Sequence, residues 1–273
     1  MRRPEVCAVL LITFLLVVAC AGIPGLGQCG ERNPSGAAST ANETELQAKD
    51  VVSVLETGDT NRLLMLITRY PRLPEAILTT EGVTALEYAA ATGNTNTLRI
   101  LIEAQGPVDA QDNFRRTALY MALANEQEDA ALQLIAAGAN VKLSDNQSIS
   151  PLHLAAKFGL SNVASDLLSH GAEVNARSVR GTTPLAVAAY FGHISVIRLL
   201  GEGAAKINNA DVDGVTALHC AAQSKKPEMV RYLLGKGANA DAKDSAGKTP
   251  ADWARQTGDR EIEGLLTGTA SKP

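Results

Sequence analysis

The chain has 273 residues, 45% of them hydrophobic but only 4% aromatic, which is enough apolar material for a sizeable core. Its 25 basic and 29 acidic residues leave a formal net charge of −4, and no block of like charge stands out. This balance is ordinary for a globular domain and argues against nucleic acid as a partner. The four cysteines, Cys7, Cys20, Cys29 and Cys220, make no disulfide framework.

Residues 1–21 have the layout of an export signal: Arg2 and Arg3, an apolar run over Ala8–Ala19, then small residues. The run is broken by Gly22 and Pro24, too soon for a comfortable membrane span. Two processing routes fit. Ala19-Cys20-Ala21 suits ordinary signal cleavage after residue 21. Val17-Val18-Ala19-Cys20 resembles a bacterial lipobox, which would end the signal at residue 19 and place a lipid on Cys20. An uncleaved anchor is a third route. Residues 20–44 are rich in Gly, Ser, Ala and Asn, a composition expected of a flexible tether.

Residues 45–80 read as a capping pair of short amphipathic helices joined at Gly58-Asp59. From Thr84 a six-residue stretch then recurs every 33 residues: TALEYA, TALYMA (Thr117–Ala122), SPLHLA (Ser150–Ala155), TPLAVA (Thr183–Ala188), TALHCA (Thr216–Ala221) and TPADWA (Thr249–Ala254). A fixed period of that length predicts a stacked solenoid.

Residues 150–182 show the mechanics of one unit. Ser150 is placed to cap a helix by accepting from a first-turn N–H, and Pro151 fits the first helical position. Leu152, Ala155 and Ala156 form an apolar stripe, and Gly159 ends the helix. Val163, Leu167 and Leu168 give a second helix its inner face, and Gly171 ends it. Glu126 and Lys225 stand where the first of these glycines is expected, and Arg115 and Ser148 replace a glycine in the loop before the cap. In repeat four, one residue looks lost after Leu200 and regained before Ile207, which predicts a distorted inter-helix geometry. Residues 249–268 form the C-terminal cap, and 269–273 a disordered tail.

These units resemble ankyrin repeats, whose signature is a T-P-L-H-x-A stretch opening the first of two antiparallel helices. The resemblance covers residues 81–268. It implies an all-α repeat solenoid of about seven helix pairs with β-hairpin fingers.

Catalytic and cofactor chemistry is not indicated. Asn209–Gly214 mimics the start of a calcium loop, but its twelfth position is Cys220 instead of glutamate. Gly247-Lys248-Thr249 mimics the end of a phosphate loop, but the glycine needed five residues earlier is Ala242. His153 and His219 occupy the repeat's own histidine position, His193 opens a second helix and His170 lies in a loop. No metal ligand set, catalytic group or cofactor is assigned.

The resemblance implies binding through the concave face, built from finger tips and the exposed edge of each first helix. The variable positions there are Asn113, Phe114, Arg116 and Asn125 in repeat two, and Asn146, Gln147, Ile149, Lys157 and Phe158 in repeat three. Repeat four offers Val179, Arg180, Thr182, Tyr190 and Phe191, and repeat five Val212, Asp213, Gln223 and Ser224. Beyond the signal the chain has three phenylalanines, Phe114, Phe158 and Phe191, and all three fall in this set. With Tyr190, Arg115, Arg116, Lys157 and Arg180 they make the expected binding surface, since aromatics and arginine dominate hot spots. Phe158 and Phe191 can equally pack between repeats.

The resulting expectation is a monomeric, non-enzymatic protein-binding module exported to a bacterial envelope. In that reading it is a lipoprotein of the outer membrane facing the periplasm, held to the membrane by Cys20, or a soluble periplasmic or secreted protein. Two alternatives remain open: a secreted effector binding a foreign target, and a small-ligand-binding accessory of an envelope enzyme.

Overall fold

The structure is a computed structural model that describes residues 50–268. The signal, Cys20, the tether, the first residues of the capping pair and the tail 269–273 lie outside the described residues.

Among the described residues, fourteen α-helices form seven pairs. The capping pair is α1 (residues 50–57) and α2 (Thr60–Arg69), followed by a short 3-10 turn at Leu73–Glu75. Repeat one holds α3 (Ala85–Thr92) and α4 (Thr95–Glu103), and repeat two α5 (Ala118–Ala124) and α6 (Glu128–Ala136). Repeat three holds α7 (Pro151–Phe158) and α8 (Ser161–Ser169), and repeat four α9 (Pro184–Phe191) and α10 (Ile194–Glu202). Repeat five holds α11 (Ala217–Gln223) and α12 (Pro227–Gly235), and α13 (Pro250–Thr257) with α14 (Arg260–Thr267) closes the stack.

First helices pack on first helices and second on second, so the molecule is two helical layers sharing one continuous core. Leu86, Leu119, Leu152, Leu185 and Leu218, one per repeat, are all 2% exposed or less. Alanines beside them, such as Ala155, Ala156, Ala188 and Ala189, are fully buried and let the first helices approach closely. In the second layer Val163, Ala164 and Leu167 are buried on α8, while Leu168 is only half-buried at its edge. Cys220 is buried on α11.

Each first helix starts at a Thr or Ser with extended backbone. The Thr84, Thr117, Thr183 and Thr249 hydroxyls accept from N–H groups of the first turn. Such a cap is worth about 1 kcal/mol. Ser150 and Thr216 complete capping boxes with the histidine three residues on: each side chain caps the third helical N–H, and each hydroxyl meets the ring Nδ1, at 2.8 and 2.9 Å.

Backbone handedness repeats as strictly as sequence. Three positions per unit have positive φ, and where glycine is missing the substitute takes the left-handed conformation regardless. Gln105, Arg115, Glu126, Ser148, Ala204 and Lys225 all do so, with φ between 56° and 65°. Each costs roughly 1–2 kcal/mol relative to a relaxed residue. Helices α5 and α11, which precede Glu126 and Lys225, have 7 residues, whereas the other first helices have 8.

Two expectations are corrected. Repeat four has no deletion and reinsertion: α10 has 9 residues, like α8 and α12, and Ala204 occupies the left-handed position held by Gly171 and Gly237. Gly203, at the C-cap of α10, gives the false impression of a slip. Nor are the fingers β-hairpins. The described residues contain only the isolated bridges Ile77↔Thr84 and Ala210↔Thr216, and each finger is a tight turn.

Candidate functional site

An aspartate five residues before the cap organises most of the fingers. Oδ1 of Asp112 accepts from the N–H groups of Phe114 and Arg116, that of Asp145 from Gln147 and Ile149, that of Asp211 from Asp213 and Val215, and that of Asp244 from Ala246 and Lys248. All eight bonds are 2.8–2.9 Å long. Of the apparent calcium motif, Asp211 holds the turn and Asp213 pairs with Arg180, and no metal-binding group of side chains occurs among the described residues.

Neighbouring fingers are then tied by main-chain bonds. The N–H groups of Asn113, Asn146, Val179, Val212 and Ser245 donate to the carbonyls of Glu81, Phe114, Gln147, Arg180 and Asp213, at 2.7–3.0 Å. This ladder runs unbroken through six fingers and fixes the tips in one row. A second ladder on the far side joins the loops after the second helices, where Asp109, Asn175 and Asn208 accept from the N–H groups of Asn140, Lys206 and Asn239. It skips one step, where Lys142 stands in the aspartate or asparagine position.

The sequence-nominated residues fall into three groups on this frame. Asn113, Phe114, Arg115 and Gln147 are exposed at the tips. Lys157, Phe158, Arg180, Tyr190, Phe191, Asp213 and Gln223 are half-buried. Arg116 is buried, with 8% of its surface exposed, so most of it is not available to a partner. Its guanidinium is held by Asp112 at 2.6 Å and by Glu81 of the preceding finger at 3.2 Å, and it lies over the Phe114 ring at 4.7 Å. Arg116 thus supports Phe114 from below.

Phe158 and Phe191 lean on the core from the edge of their helices. The Lys157 ammonium sits 4.6 Å from the centre of the Phe158 ring, and burial lowers the Lys157 pKa. Tyr190 and Phe191 meet edge to face at 5.1 Å. Arg180 forms an ion pair with Asp213 of the next finger. Gln223 buries an Oε1 that has no hydrogen-bond partner.

The most exposed apolar groups on the tips are Val179 at 62% and Val212 at 64%, ahead of Phe114 at 42%. Outside the nominated set, Ile77 is 66% exposed on the approach to the first finger. The matching positions at 33-residue steps are Ala110, Leu143, Ala176, Asn209 and Ala242, a varied set that gives no signal for an exposed apolar group.

The histidines link repeats. The His153 Nε2 lies 3.0 Å from the carbonyl oxygen of Thr182, which can only accept, so Nε2 carries the hydrogen. Nδ1 then accepts from the Ser150 N–H and hydroxyl. His219 repeats the pattern with Lys248 and Thr216. Burial lowers both pKa values, that of His153 to about 4, so both rings are neutral near pH 7. His193 Nε2 bonds the Lys157 carbonyl at 2.8 Å, and its ring covers Gly159 so closely that an added Cβ would lie 2.4 Å from Nδ1. Tyr120 donates to Asp145 at 3.0 Å across the junction of repeats two and three.

A two-layer stack of helix pairs with laddered finger turns defines a helical-repeat interaction scaffold. Family comparison is specific: a model described as ankyrin repeats (3 copies) matches residues 53–145, 133–211, 152–244 and 199–270. The chain belongs to the ankyrin-repeat family, and its repeats are a protein–protein interaction module. No curated protein matches it.

Proposed function

We propose that the chain is an exported module that binds one partner protein through the finger tips and first-helix edges of repeats two to five. One observation carries this reading: Phe114, Val179 and Val212 expose large apolar surface from tips that the main-chain ladder holds in a fixed row. Exposed apolar groups on rigid supports lose little entropy on binding, which favours them as contact points. Arg115 is exposed beside Phe114, so the complementary surface is apolar with an acidic group. The export layout of residues 1–21 supports an encounter in a bacterial envelope, with Cys20 as the lipid anchor of this reading.

Two measurements test this. Intact mass of the protein recovered from its host's membranes should show an acylated Cys20. An unmodified chain beginning at Gly22 would favour the released, soluble form. The partner is then sought by crosslinking in the corresponding fraction and titrated against the purified chain. Phe114→Ala with Tyr190→Ala should weaken binding at least tenfold, and unchanged affinity with intact helicity would sink the proposed surface.

A further inference from the structure

We propose that Glu87 is a proton-operated latch between repeats one and two: as the neutral acid it donates to the main-chain carbonyl of Arg116, and as the carboxylate it releases that contact. Glu87 is 1% exposed on α3. Its Oε2 accepts from the Thr84 N–H at 2.7 Å, while its Oε1 is buried with no hydrogen-bond partner. An unsatisfied buried carboxylate oxygen is costly and calls for a donor or a proton.

The other repeats show what this position does. His153 and His219 also stand three residues after their caps, and each bonds the carbonyl 29 residues further on, at Thr182 and Lys248. Those two carbonyls at the same time close their own fingers by accepting from the Ser178 and Asp244 N–H groups. Twenty-nine residues after Glu87 is Arg116, whose carbonyl closes its finger in the same way, accepting from Asp112 at 3.0 Å. An imidazole brings its own hydrogen to this position. A carboxylate brings only lone pairs, and would set acceptor against acceptor away from water. Taking one proton from solvent onto Oε1 turns the clash into a hydrogen bond.

The charged groups acting on Glu87 come from the next finger, where Asp112 disfavours its ionisation and Arg116 favours it. Glu81 of its own finger reaches the cluster through Arg116. The other titratable groups on the helices around it are engaged elsewhere, Tyr88 with Glu56 on α1 and Tyr120 on α5 with Asp145. Burial is the largest influence and pushes the Glu87 pKa up to about 7. Because the folded value lies above the unfolded one, the extra stability is complete below the unfolded pKa and is lost as pH rises through the folded value. The latch is therefore closed in mild acid and open in mild alkali. It stands whatever the finger tips bind, and it acts on the finger that carries Phe114.

The test uses the full chain. The carboxyl carbon-13 resonance of Glu87, assigned by its loss in Glu87→Gln, should titrate with a midpoint at about 7, well above that of a free glutamate. A midpoint in the ordinary carboxylate range overturns the latch. From pH ~5 to pH ~8 the natural chain should lose about 5 °C or more of melting temperature relative to Glu87→Gln, whose amide can donate at any pH. Parallel curves for the two proteins would equally refute it. If Glu87→Gln fails to fold, Glu87→Asp supplies the assignment and the titration of the natural chain decides.

Discussion

At the junction of repeats three and four, the neutral ring of His153 joins α7 to the finger ahead, and glycine fills the left-handed positions 159, 171, 181 and 192. Across residues 84–149 the same frame is built from less suitable parts. Gln105, Arg115, Glu126 and Ser148, four of the six non-glycine residues with positive φ, lie there. A buried acid stands in the histidine position, beside the Asp112–Arg116–Glu81 cluster. The frame is the same, so its geometry is set by stacking more than by the local preference of any residue. What differs is the response to conditions, because strain and ionisable groups are concentrated at one end.

The largest effect expected from testing this contrast comes from the shared core. Leu152→Ala and Leu86→Ala should each cost about 2–5 kcal/mol, since both side chains are fully buried. Hydrogen exchange should show each loss centred on its own repeat and the neighbours; uniform loss along the chain would mean the two regions do not behave separately.

Acid should separate them next. The folded pKa of His153, about 4, lies below the unfolded value, so its contribution is present above pH ~6.5 and lost as pH falls toward 4. The loss is on the order of 3 kcal/mol, opposite in sign to that at Glu87. Exchange protection around Thr182 should therefore drop on acidification while that around Arg116 holds; a common direction would break the contrast.

The smallest effect sharpens it. Glu126→Gly relieves a positive φ and should raise the denaturant midpoint, by up to about 1 kcal/mol of stability after the added chain entropy of glycine. Gly159→Ala, at the matching position of repeat three, should lower it, because the new methyl would strike the His193 ring. If both substitutions moved stability the same way, backbone strain would not distinguish the regions.

Much of the frame could be read directly because it depends on spacing. The Thr or Ser caps, the buried leucines and the helix-ending glycines each recur at 33 residues, and a period survives local exceptions. Pairings between units were harder to see. Glu, Tyr, His, Ala, His and Asp follow one another at the third residue after the cap, and a list so varied suggests no common task. Three of these six, Tyr120, His153 and His219, bond the finger ahead, and Glu87 has an oxygen to spare. The position of Arg116 before the cap suggests the surface. The recurring aspartate at 112, 145, 211 and 244 could have suggested its burial, since the Asp112 carboxylate has a second oxygen free to accept from it. Val179 and Val212 were named among the variable positions, but their prominence depends on tip geometry, which periodicity does not convey.

The rungs joining the finger tips are made by peptide groups alone. The side chains at positions 146, 179, 212 and 245 take no part in their rungs, while Asn113 adds one bond of its own, its Nδ2 donating to the Thr80 carbonyl. In evolutionary terms, shape and vocabulary are inherited separately along this edge. A lineage can rewrite the displayed residues, one tip at a time, and each new residue is presented at the same address as the old one. Recognition can drift to another target without a refolding intermediate, which makes this row the part of the chain where divergence between descendants should gather.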